Sequence, residues 1–111
     1  FSYVGVLTVE YFITENDKLL VNEIAPRFHN SGHLTIEAFN ISQFENHVRA
    51  VCNLESLPIK KISNAEMYNV LGFEIQKYKK RNFKQNEYFH DYKKKEPRDG
   101  RKMGHLTVLK D

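Results

Sequence analysis

The alternation of apolar and polar positions predicts a β-hairpin at the start of the chain. Residues 4–13 and 18–24 are rich in β-branched and aromatic side chains, as strands are. A polar cluster at residues 14–17 separates the two runs. A two-residue loop at Asn16 and Asp17 suits a primed hairpin turn, because both residue types tolerate positive φ. The sequence therefore predicts two antiparallel strands joined by a tight turn.

This turn sets a register that opposes two carboxylates. The register pairs Glu15 with Lys18, Ile13 with Leu20, and Glu10 with Glu23. Like charges directly opposite each other, with Cβ atoms about 5 Å apart, destabilise a sheet. A divalent cation would compensate, and Mg²⁺ is typically held by one or two carboxylates plus substrate phosphates. A register shifted by one residue and a proton shared between the two carboxylates are the alternatives.

Helical periodicity follows the hairpin. Residues 34–39 are expected to form a helical turn, and Ser42 with Glu45 three residues later has the pattern of a capping box. Apolar positions then recur at helical spacing, at Phe44, Val48, Val51 and Cys52. We therefore expect an amphipathic helix over 43–53, with Cys52 as a thiol in the core. His47 and Arg49 lie off the apolar stripe and are expected at the surface.

The second half of the chain has weaker periodicity. Residues 54–63, which include Pro58, resemble a linker, and residues 66–72 resemble a strand that ends at a turn glycine. Residues 73–86 show no clean period. Residues 87–92 and 102–109 are predicted strands around the loop 93–101, in which Pro97 and Gly100 interrupt regular structure.

Composition and charge limit the classes of protein. A chain of 111 residues forms one modest domain or a piece of a larger one, and 41% apolar residues allow a core. One cysteine excludes an internal disulfide and fits a reducing compartment. No apolar run approaches the roughly 18 residues that span a bilayer. The first residues lack a Met and the features of a signal peptide, so we expect a segment from within a longer chain.

The charge is unevenly distributed. Residues 1–76 hold five Lys/Arg and nine Asp/Glu, a net charge of −4. Residues 77–102 hold eleven Lys/Arg and four Asp/Glu, a net charge of +7. The basic segment indicates either a nucleic-acid or phosphate site, or a solvated lysine-rich surface.

The densest group of polar side chains follows the second predicted strand. Pro26 ends that strand, because it has no N–H for the ladder and a fixed φ. Residues 22–33 then hold a carboxylate, a guanidinium, two imidazoles, amides and a hydroxyl. Such a loop on a rigid sheet often carries function, although a solvated connector is the alternative.

These residues also carry a family resemblance. The run Glu23-Ile24-Ala25-Pro26-Arg27, followed by His29-Asn30-Ser31-Gly32-His33, is similar to one in the ATP-grasp ligases of purine synthesis. The chain most resembles the 5-(carboxyamino)imidazole ribonucleotide synthases among them. Residues 3–6, 9–12, 41–45, 47–50 and 100–105 carry further matching runs. The resemblance covers residues 3–54 and 88–109 and is weak between them.

The resemblance implies an α+β fold. Residues 1–57 would be the carboxy-terminal portion of an ATP-grasp domain, an antiparallel sheet with helices. Residues 58–111 would be a small, mostly β carboxy-terminal domain of the rudiment single hybrid type, expected to be incomplete. The family uses ATP and Mg²⁺, and its substrates are ATP, bicarbonate and aminoimidazole ribonucleotide. The resemblance further implies a cytoplasmic enzyme that is a homodimer at full length, without nucleic-acid or membrane partners.

The resemblance also implies roles for individual residues. Glu10 and Glu23 would bind the metal, Arg27 would clamp an anion, and His29 would act as hydrogen-bond donor or base. The implied substrate-binding residues are Asn30 and Ser31 in the same pocket, and Lys94 and Arg101 on the ribonucleotide 5′-phosphate. Two residues depart from the family pattern in that phosphate loop, since Lys93 replaces a glycine and Asp99 a proline. His105 is expected to be a strand residue rather than a catalyst.

Two alternatives are open. The formate-using glycinamide ribonucleotide transformylases have a similar loop, but favour Asp-Thr-Gly at residues 30–32. A small RNA-binding module could use the basic segment 77–102, yet no RNP-like run is present and the 22–33 loop would have no role. The resemblance also implies that the amino-terminal domain, the lysines on the ATP phosphates and the Gly-rich flap are absent here, so one face of the sheet should lack its covering layer. We therefore expect residues 1–111 alone to be inactive, to bind ATP weakly at best, and to associate or partly unfold.

Overall fold

The structure is a computed structural model that describes residues 2–110. Phe1 and Asp111, where the two predicted domains begin and end, lie outside the described residues. The elements are β1 (Thr8–Ile13), β2 (Leu19–Ala25), a 3₁₀ turn (Asn30–Gly32), α1 (Thr35–Ala38), α2 (Gln43–Val51), β3 (Asn64–Leu71), a second 3₁₀ turn (Gly72–Glu74), α3 (Ile75–Lys79), β4 (Glu87–Asp91) and β5 (Lys102–Lys110). Strands β1 and β2 form a hairpin, and the other three form a sheet in the order β3-β5-β4. Within residues 2–110, no helix has the length and apolar character needed to cross a membrane.

The predicted two-residue turn of the hairpin is wrong. Residues 14–18 form a longer loop, closed by hydrogen bonds from Thr14 N to Lys18 O (2.9 Å) and from Asp17 N to Thr14 O (3.0 Å). Asp17 has φ +56°, a left-handed conformation that Asp tolerates better than most residues. Glu15 and Lys18 therefore do not pair, and Ile13 pairs with Leu19 instead of Leu20.

A β-bulge restores the predicted register at the carboxylates. The register shifts by one residue between Glu10 and Tyr11, so Tyr11 pairs with Val21 while Glu10 pairs with Glu23. Asn22 is the extra residue of the bulge, which bends the strand locally. The predicted opposition of Glu10 and Glu23 is thus confirmed. The longer turn shifts the register by one residue and the bulge shifts it back, and the sequence revealed neither shift.

Helix α2 begins where the sequence predicts. The Ser42 hydroxyl accepts a hydrogen bond from Glu45 N (3.1 Å), as an N-cap does. The helix ends at Val51, and Asn53 adopts φ +52°, a frequent way to end a helix. The Glu45 carboxylate accepts from Arg49 Nε (2.9 Å) on the next turn.

The predicted core position of Cys52 is wrong. The thiol is exposed, and Val48 and Val51 on the same stripe are each about half exposed. Of that stripe, only Phe44 packs closely, with its ring 4.6 Å from the ring of Phe28. Periodicity identifies the apolar face of a helix, but not whether the described part of the chain covers that face. His47, expected at the surface, is half-buried and accepts a hydrogen bond from Val6 N (3.2 Å).

The three-stranded sheet contains the main apolar core. Val70 of β3, Met103 of β5 and Ile75 of α3 are buried together, and the rings of Tyr78 and Phe89 pack against them. The predicted strands at 66–72, 87–92 and 102–109 are confirmed to within two residues. The segment 73–86, which showed no period, contains a 3₁₀ turn and a five-residue helix, elements too short to display one.

Helix α1 joins the hairpin half of the chain to the sheet. Ala38 at its end is buried, and its carbonyl accepts hydrogen bonds from Ile62 N (2.7 Å) and Ser63 N (3.3 Å). Glu37 Oε1 lies 2.6 Å from Nε2 of His90 in β4. These contacts bring the 22–33 loop close to the sheet. The division into domains at residue 57 stays a prediction.

The hairpin presents apolar side chains to solvent. Ile13, Leu19 and Ile24 are 73%, 63% and 62% exposed, and Leu20 is 55% exposed. An exposed apolar face of this kind favours association. We therefore expect sedimentation velocity to show concentration-dependent association of the 111-residue chain, weakened by Leu20→Lys. Ile62→Lys, which changes an equally exposed residue outside the hairpin, should not weaken it, and equal effects of both variants would contradict this prediction.

Candidate active site

Two carboxylates and an imidazole converge on one face of the hairpin. His29 Nε2 lies 2.9 Å from Glu23 Oε1 and 3.2 Å from Glu10 Oε2. Glu10 and Glu23 are opposed across β1 and β2, and His29 reaches them from the loop that follows β2. The imidazole is buried, whereas both carboxylates are partly exposed. This cluster brings together three of the predicted site residues.

The loop after β2 fixes the orientation of His29. Pro26 ends the strand, and His29 has an extended backbone, φ −122° and ψ 148°, as the cap of the 3₁₀ turn. Ser31 N donates to His29 Nδ1 (3.3 Å), and the Ser31 hydroxyl lies 2.7 Å from the same atom. Because Nδ1 accepts, Nε2 carries the ring hydrogen and donates toward Glu23. His29 is therefore arranged as a hydrogen-bond donor.

Other polar groups surround the carboxylates. Arg27 Nη2 is 3.9 Å from Glu23 Oε1, and its side chain is 62% exposed, so the guanidinium can reach an anion in solution. Asn22 Nδ2 donates to Glu10 Oε1 (2.7 Å). The sequence did not predict this role of Asn22, because it depends on the bulge that turns its side chain toward Glu10. Asn30, a predicted substrate-binding residue, lies in the 3₁₀ turn beside Ser31.

The cluster has the composition of a metal site. Glu10, Glu23 and His29 each offer a ligand atom, and these atoms lie within 4.8 Å of one another. Carboxylate oxygens are the donors that Mg²⁺ prefers. Two like charges facing each other across a hairpin also destabilise it unless a cation or a hydrogen-bond donor compensates. The donor set is therefore chemically compatible with a hard divalent cation such as Mg²⁺.

Lys94 and Arg101 form a second polar group on the loop between β4 and β5. Lys94 Nζ donates to Lys102 O (2.6 Å) and lies 5.5 Å from the centre of the Tyr92 ring. Arg101 Nη1 donates to Glu96 O (2.7 Å). Both cationic side chains thus donate to backbone carbonyls of their own loop. A bound anion could replace those carbonyls as their hydrogen-bond acceptor. The two predicted phosphate-binding residues share one loop.

The structure gives the backbone conformation at both departures from the family pattern. Lys93, where the family has glycine, adopts φ +57°, and its N–H donates to Asp91 Oδ1 (2.8 Å). Asp99 and Gly100 are the central residues of a turn closed by Arg101 N to Arg98 O (3.0 Å). Gly100 has φ +71°, as the third residue of a type II turn requires. Proline is favoured at the second position of this turn but is not required there.

Lys93 should therefore be strained. A residue with a Cβ in the left-handed region costs about 1–2 kcal/mol, which glycine avoids. We expect Lys93→Gly to match or exceed the parent chain in unfolding free energy, and Lys93→Ala to lie about 1 kcal/mol below Lys93→Gly. Both variants lose the Nζ–Asp91 contact of 3.4 Å, so their difference in urea titrations isolates the backbone effect. Equal stabilities would contradict the prediction.

A column of aromatic rings connects the two polar groups. The ring of His105 stacks on His90 at 4.5 Å and on His33 at 5.0 Å, and His33 stacks on Phe44 at 5.5 Å. Tyr92 is joined to His105 Nδ1 by a hydrogen bond of 2.8 Å. His105 lies in β5, as predicted. The column was not predicted, because its members are far apart in sequence: β4 and β5 pair His90 with His105, whereas His33 and Phe44 come from a loop and a helix.

Burial in the column favours the neutral forms of His33 and His105. Burial, together with the neighbouring His90 and His33, lowers the pKa of His105 to about 4. Burial and the nearby His90, Lys102 and His29 also lower the pKa of His33. Burial raises the pKa of Tyr92, so its hydroxyl keeps its proton. In the described residues, His105 Nε2 is buried without a hydrogen-bond partner, which adds to the cost of charging the ring.

Stability should consequently fall in mild acid. The unfolded-state pKa of His105 is about 6.5 and the folded value about 4, so its contribution is complete above pH 6.5 and is lost as pH falls toward 4. As the pH falls from 7.5 to 5, the linkage of His105 protonation to unfolding should lower the unfolding free energy by about 2 kcal/mol. Urea titrations at a monomeric concentration would measure the loss, which should shrink in His105→Gln. An undiminished pH dependence in that variant would contradict the assignment.

Comparison with known proteins identifies the class. Residues 1–44 match the family model of the ATP-grasp domain. Residues 65–111 match that of the phosphoribosylaminoimidazole carboxylase C-terminal domain. The Glu10–Glu23–His29 cluster thus lies in the segment that matches an ATP-grasp domain, and the Lys94–Arg101 loop lies in the segment that matches the carboxylase C-terminal domain. The predicted α+β fold is confirmed.

Within that class, the chain is similar to N5-carboxyaminoimidazole ribonucleotide synthases. It is 47% identical to the Brucella melitensis synthase over 109 residues, which are 98% of this chain and 30% of that protein. It matches the crystal structure of the Staphylococcus aureus synthetase complexed with ADP with a TM-score of 0.89 and 46% identity, over 98% of this chain and 30% of that one. The Aspergillus clavatus synthase, complexed with ADP and 5-aminoimidazole ribonucleotide, matches with a TM-score of 0.86 and 38% identity, over 96% and 30%.

These matches confirm the family resemblance. The chain spans about 30% of the length of the relatives it matches and corresponds to their carboxy-terminal portion.

Proposed function

We propose that this chain contributes to the ATP- and bicarbonate-dependent carboxylation of 5-aminoimidazole ribonucleotide. The observation that carries the proposal is the convergence of Glu10, Glu23 and His29 within the segment that matches an ATP-grasp domain. Arg27 stands at its edge with an exposed guanidinium. The similarity to synthases over 98% of the chain supports the choice of substrates.

In this proposal, the reaction has two steps. A bicarbonate oxygen attacks the γ-phosphorus of ATP, so that carboxyphosphate forms and ADP leaves. The exocyclic amine of the aminoimidazole then attacks the carboxyl carbon of carboxyphosphate, or the CO₂ that carboxyphosphate releases together with phosphate. The N–C bond forms, the C–O bond to phosphate breaks, and the departing phosphate takes the proton that nitrogen loses.

The residues of the loop bind and orient the anionic reactants. Arg27 holds bicarbonate through a charge-assisted hydrogen bond. His29 donates from Nε2 toward Glu23, because Ser31 occupies Nδ1, and so orients that carboxylate. Asn30 and Ser31 shape the pocket around them. Glu10 and Glu23 would hold Mg²⁺, which neutralises charge on the transferring phosphoryl group when bound. Lys94 and Arg101 bind the ribonucleotide 5′-phosphate, where a point charge and a planar fork suit a dianion.

Two alternatives are weaker. The relatives reported above are N5-carboxyaminoimidazole ribonucleotide synthases, which disfavours the formate-using transformylase. An RNA-binding role for residues 77–102 is disfavoured because several of its cations contact acidic groups. Lys79 lies 3.2 Å from Asp91, Arg81 lies 2.6 Å from Glu87, and Arg98 lies 2.8 Å from Glu96. A cytoplasmic enzyme that is dimeric at full length is part of the proposal.

The test uses a chimera in which residues 1–111 replace the matching segment of the Staphylococcus aureus synthase, here called the chimeric synthase. We expect phosphate release from ATP that requires both bicarbonate and aminoimidazole ribonucleotide. The 111-residue chain alone should release none. A folded chimeric synthase that hydrolyses ATP without stimulation by the ribonucleotide would contradict the proposal. Ribonucleotide-stimulated turnover by the 111-residue chain would instead contradict only the expectation that this chain is inactive by itself.

A further inference from the structure

The first side chain of α2 reaches across to the loop that carries His29. Gln43 Oε1 accepts from His29 N (3.0 Å), and Gln43 Nε2 donates to His29 O (2.9 Å). The same Nε2 lies 2.8 Å from Nδ1 of His33. Gln43 N also donates to Thr35 Oγ1 (2.9 Å), which fixes the start of the helix. One amide thus holds both backbone groups of His29 and the ring of His33.

These contacts determine the state of His33. The bonds to His29 N and O fix which end of the Gln43 amide is oxygen and which is nitrogen. The nitrogen therefore points at His33 Nδ1, which must be an acceptor without a hydrogen. The neutral ring carries its hydrogen on Nε2, and the lowered pKa of His33 agrees with this. Protonation of His33 at Nδ1 would place its N–H donor directly against the N–H donor of Gln43 Nε2.

The ring of His33 continues the connection to the sheet. It stacks on His105 at 5.0 Å, and His105 is hydrogen bonded to Tyr92, whose ring lies 5.5 Å from Lys94 Nζ. The titratable and charged groups that face His33 are His29 from its own loop, His90 and Tyr92 from the β4 side, and His105 and Lys102 from β5. The connection runs from His29 to the start of the phosphate loop.

We propose that Gln43 and His33 are positioning residues, a clamp that sets His29 against Glu10 and Glu23 and aligns it with the Lys94–Arg101 loop. The effect on catalysis rests on the proposed function. Neither residue contacts the carboxylates, so each acts through another group. The clamp would hold the hydrogen-bond donor of His29 and the cations of Lys94 and Arg101 in one fixed geometry, as a reaction between two bound substrates requires.

The glycine at position 32 supports the clamp. A Cβ on Gly32 would lie 2.4 Å from Gln43 Oε1 and 2.7 Å from its Cδ. Gly32 has no positive φ that would otherwise require glycine, so its lack of a side chain makes room for the amide. Because the obstructing atoms are the end of a flexible side chain, Gly32→Ala should displace Gln43 without unfolding the chain.

Nuclear magnetic resonance of the 111-residue chain tests the clamp without reference to activity. The ¹⁵N shifts of His33 should show the Nε2–H tautomer in the parent chain. Gln43→Glu puts an acceptor where Nε2 donates, so His33 should change to Nδ1–H and its pKa should rise by at least one unit. Gln76→Glu, the same change on the exposed face of α3, should alter neither. An unchanged tautomer in both Gln43→Glu and Gly32→Ala would overturn the clamp.

Kinetics of the chimeric synthase tests its role in catalysis. We expect Gln43→Glu and Gly32→Ala to lower kcat about tenfold or more while the KM for ATP changes less than twofold, and Gln76→Glu to resemble the parent. A changed His33 tautomer with parental kcat would overturn the positioning role. An inactive parental chimera would contradict the proposed function instead, and the His33 tautomer in Gln43→Glu would still decide the clamp.

Discussion

Glu23→Gln in the chimeric synthase is expected to lower Mg²⁺-dependent turnover by at least about a hundredfold, equivalent to roughly 2.7 kcal/mol of activation free energy. The substitution keeps the size of the side chain and removes one of two charges that face each other across the hairpin. A neutral amide is a poor substitute for a carboxylate as a ligand of a hard divalent cation. The concentration of Mg²⁺ needed for half-maximal turnover should rise as well.

The fold should survive this substitution. Removing one of two directly opposed like charges is neutral or stabilising in a sheet, and an amide oxygen at position 23 can still accept from His29 Nε2. Glu15→Gln is the matched control, since Glu15 lies exposed in the loop of the same hairpin and away from the register pair. The control should keep parental turnover within twofold. Parental Mg²⁺ dependence and rate in Glu23→Gln would exclude the metal assignment.

The hairpin shows how far patterning alone can determine geometry. Alternation identified both strands, and the opposition of Glu10 and Glu23 followed from an assumed turn. The turn was wrong because Asp17 takes the left-handed conformation in a longer loop, and the bulge at Asn22 compensated. Propensities do not distinguish these two arrangements, since Asn and Asp suit either turn. The opposition of Glu10 and Glu23 was predictable because a hairpin pairs residues that lie close together in sequence.

The aromatic column could not be predicted from sequence patterns. His33, His90 and His105 come from a loop and two strands, and β4 meets β5 after an intervening loop of irregular structure. Each histidine alone resembles an ordinary polar residue on a half-buried element. Long-range pairing determines which of them stack, and the resulting burial produces the lowered pKa of His105. The resemblance to a family did not supply this information either.

The exposure of the α2 stripe has a different physical origin. The period at Phe44, Val48 and Val51 was identified correctly, and the helix formed as predicted. What covers an apolar face depends on the rest of the fold, which helical periodicity does not encode. Cys52 is accordingly exposed, although its position in the pattern is that of a core residue.

The phosphate loop yields the second prediction with a large effect. Lys94→Ala and Arg101→Ala in the chimeric synthase should each raise the KM for aminoimidazole ribonucleotide about ten- to a hundredfold. A charge-assisted hydrogen bond contributes roughly 1.5–3 kcal/mol, and each 1.4 kcal/mol is a factor of ten. Because the phosphate does not react, its contacts bind the ground and transition states equally, so kcat should change little. The KM for ATP should stay parental.

Two neighbours on the same loop supply matched controls. Lys95→Ala and Arg98→Ala remove the same charges from exposed side chains, and Arg98 contacts only Glu96 among the ion pairs of residues 2–110. Both controls should leave the ribonucleotide KM within about twofold, which separates a specific phosphate contact from the general positive field of residues 77–102. Lys94 Nζ and Arg101 Nη1 also tie the loop together through Lys102 O and Glu96 O. If that tie were their only role, Lys94→Ala and Arg101→Ala would impair ATP and ribonucleotide kinetics equally, and the phosphate assignment would fail.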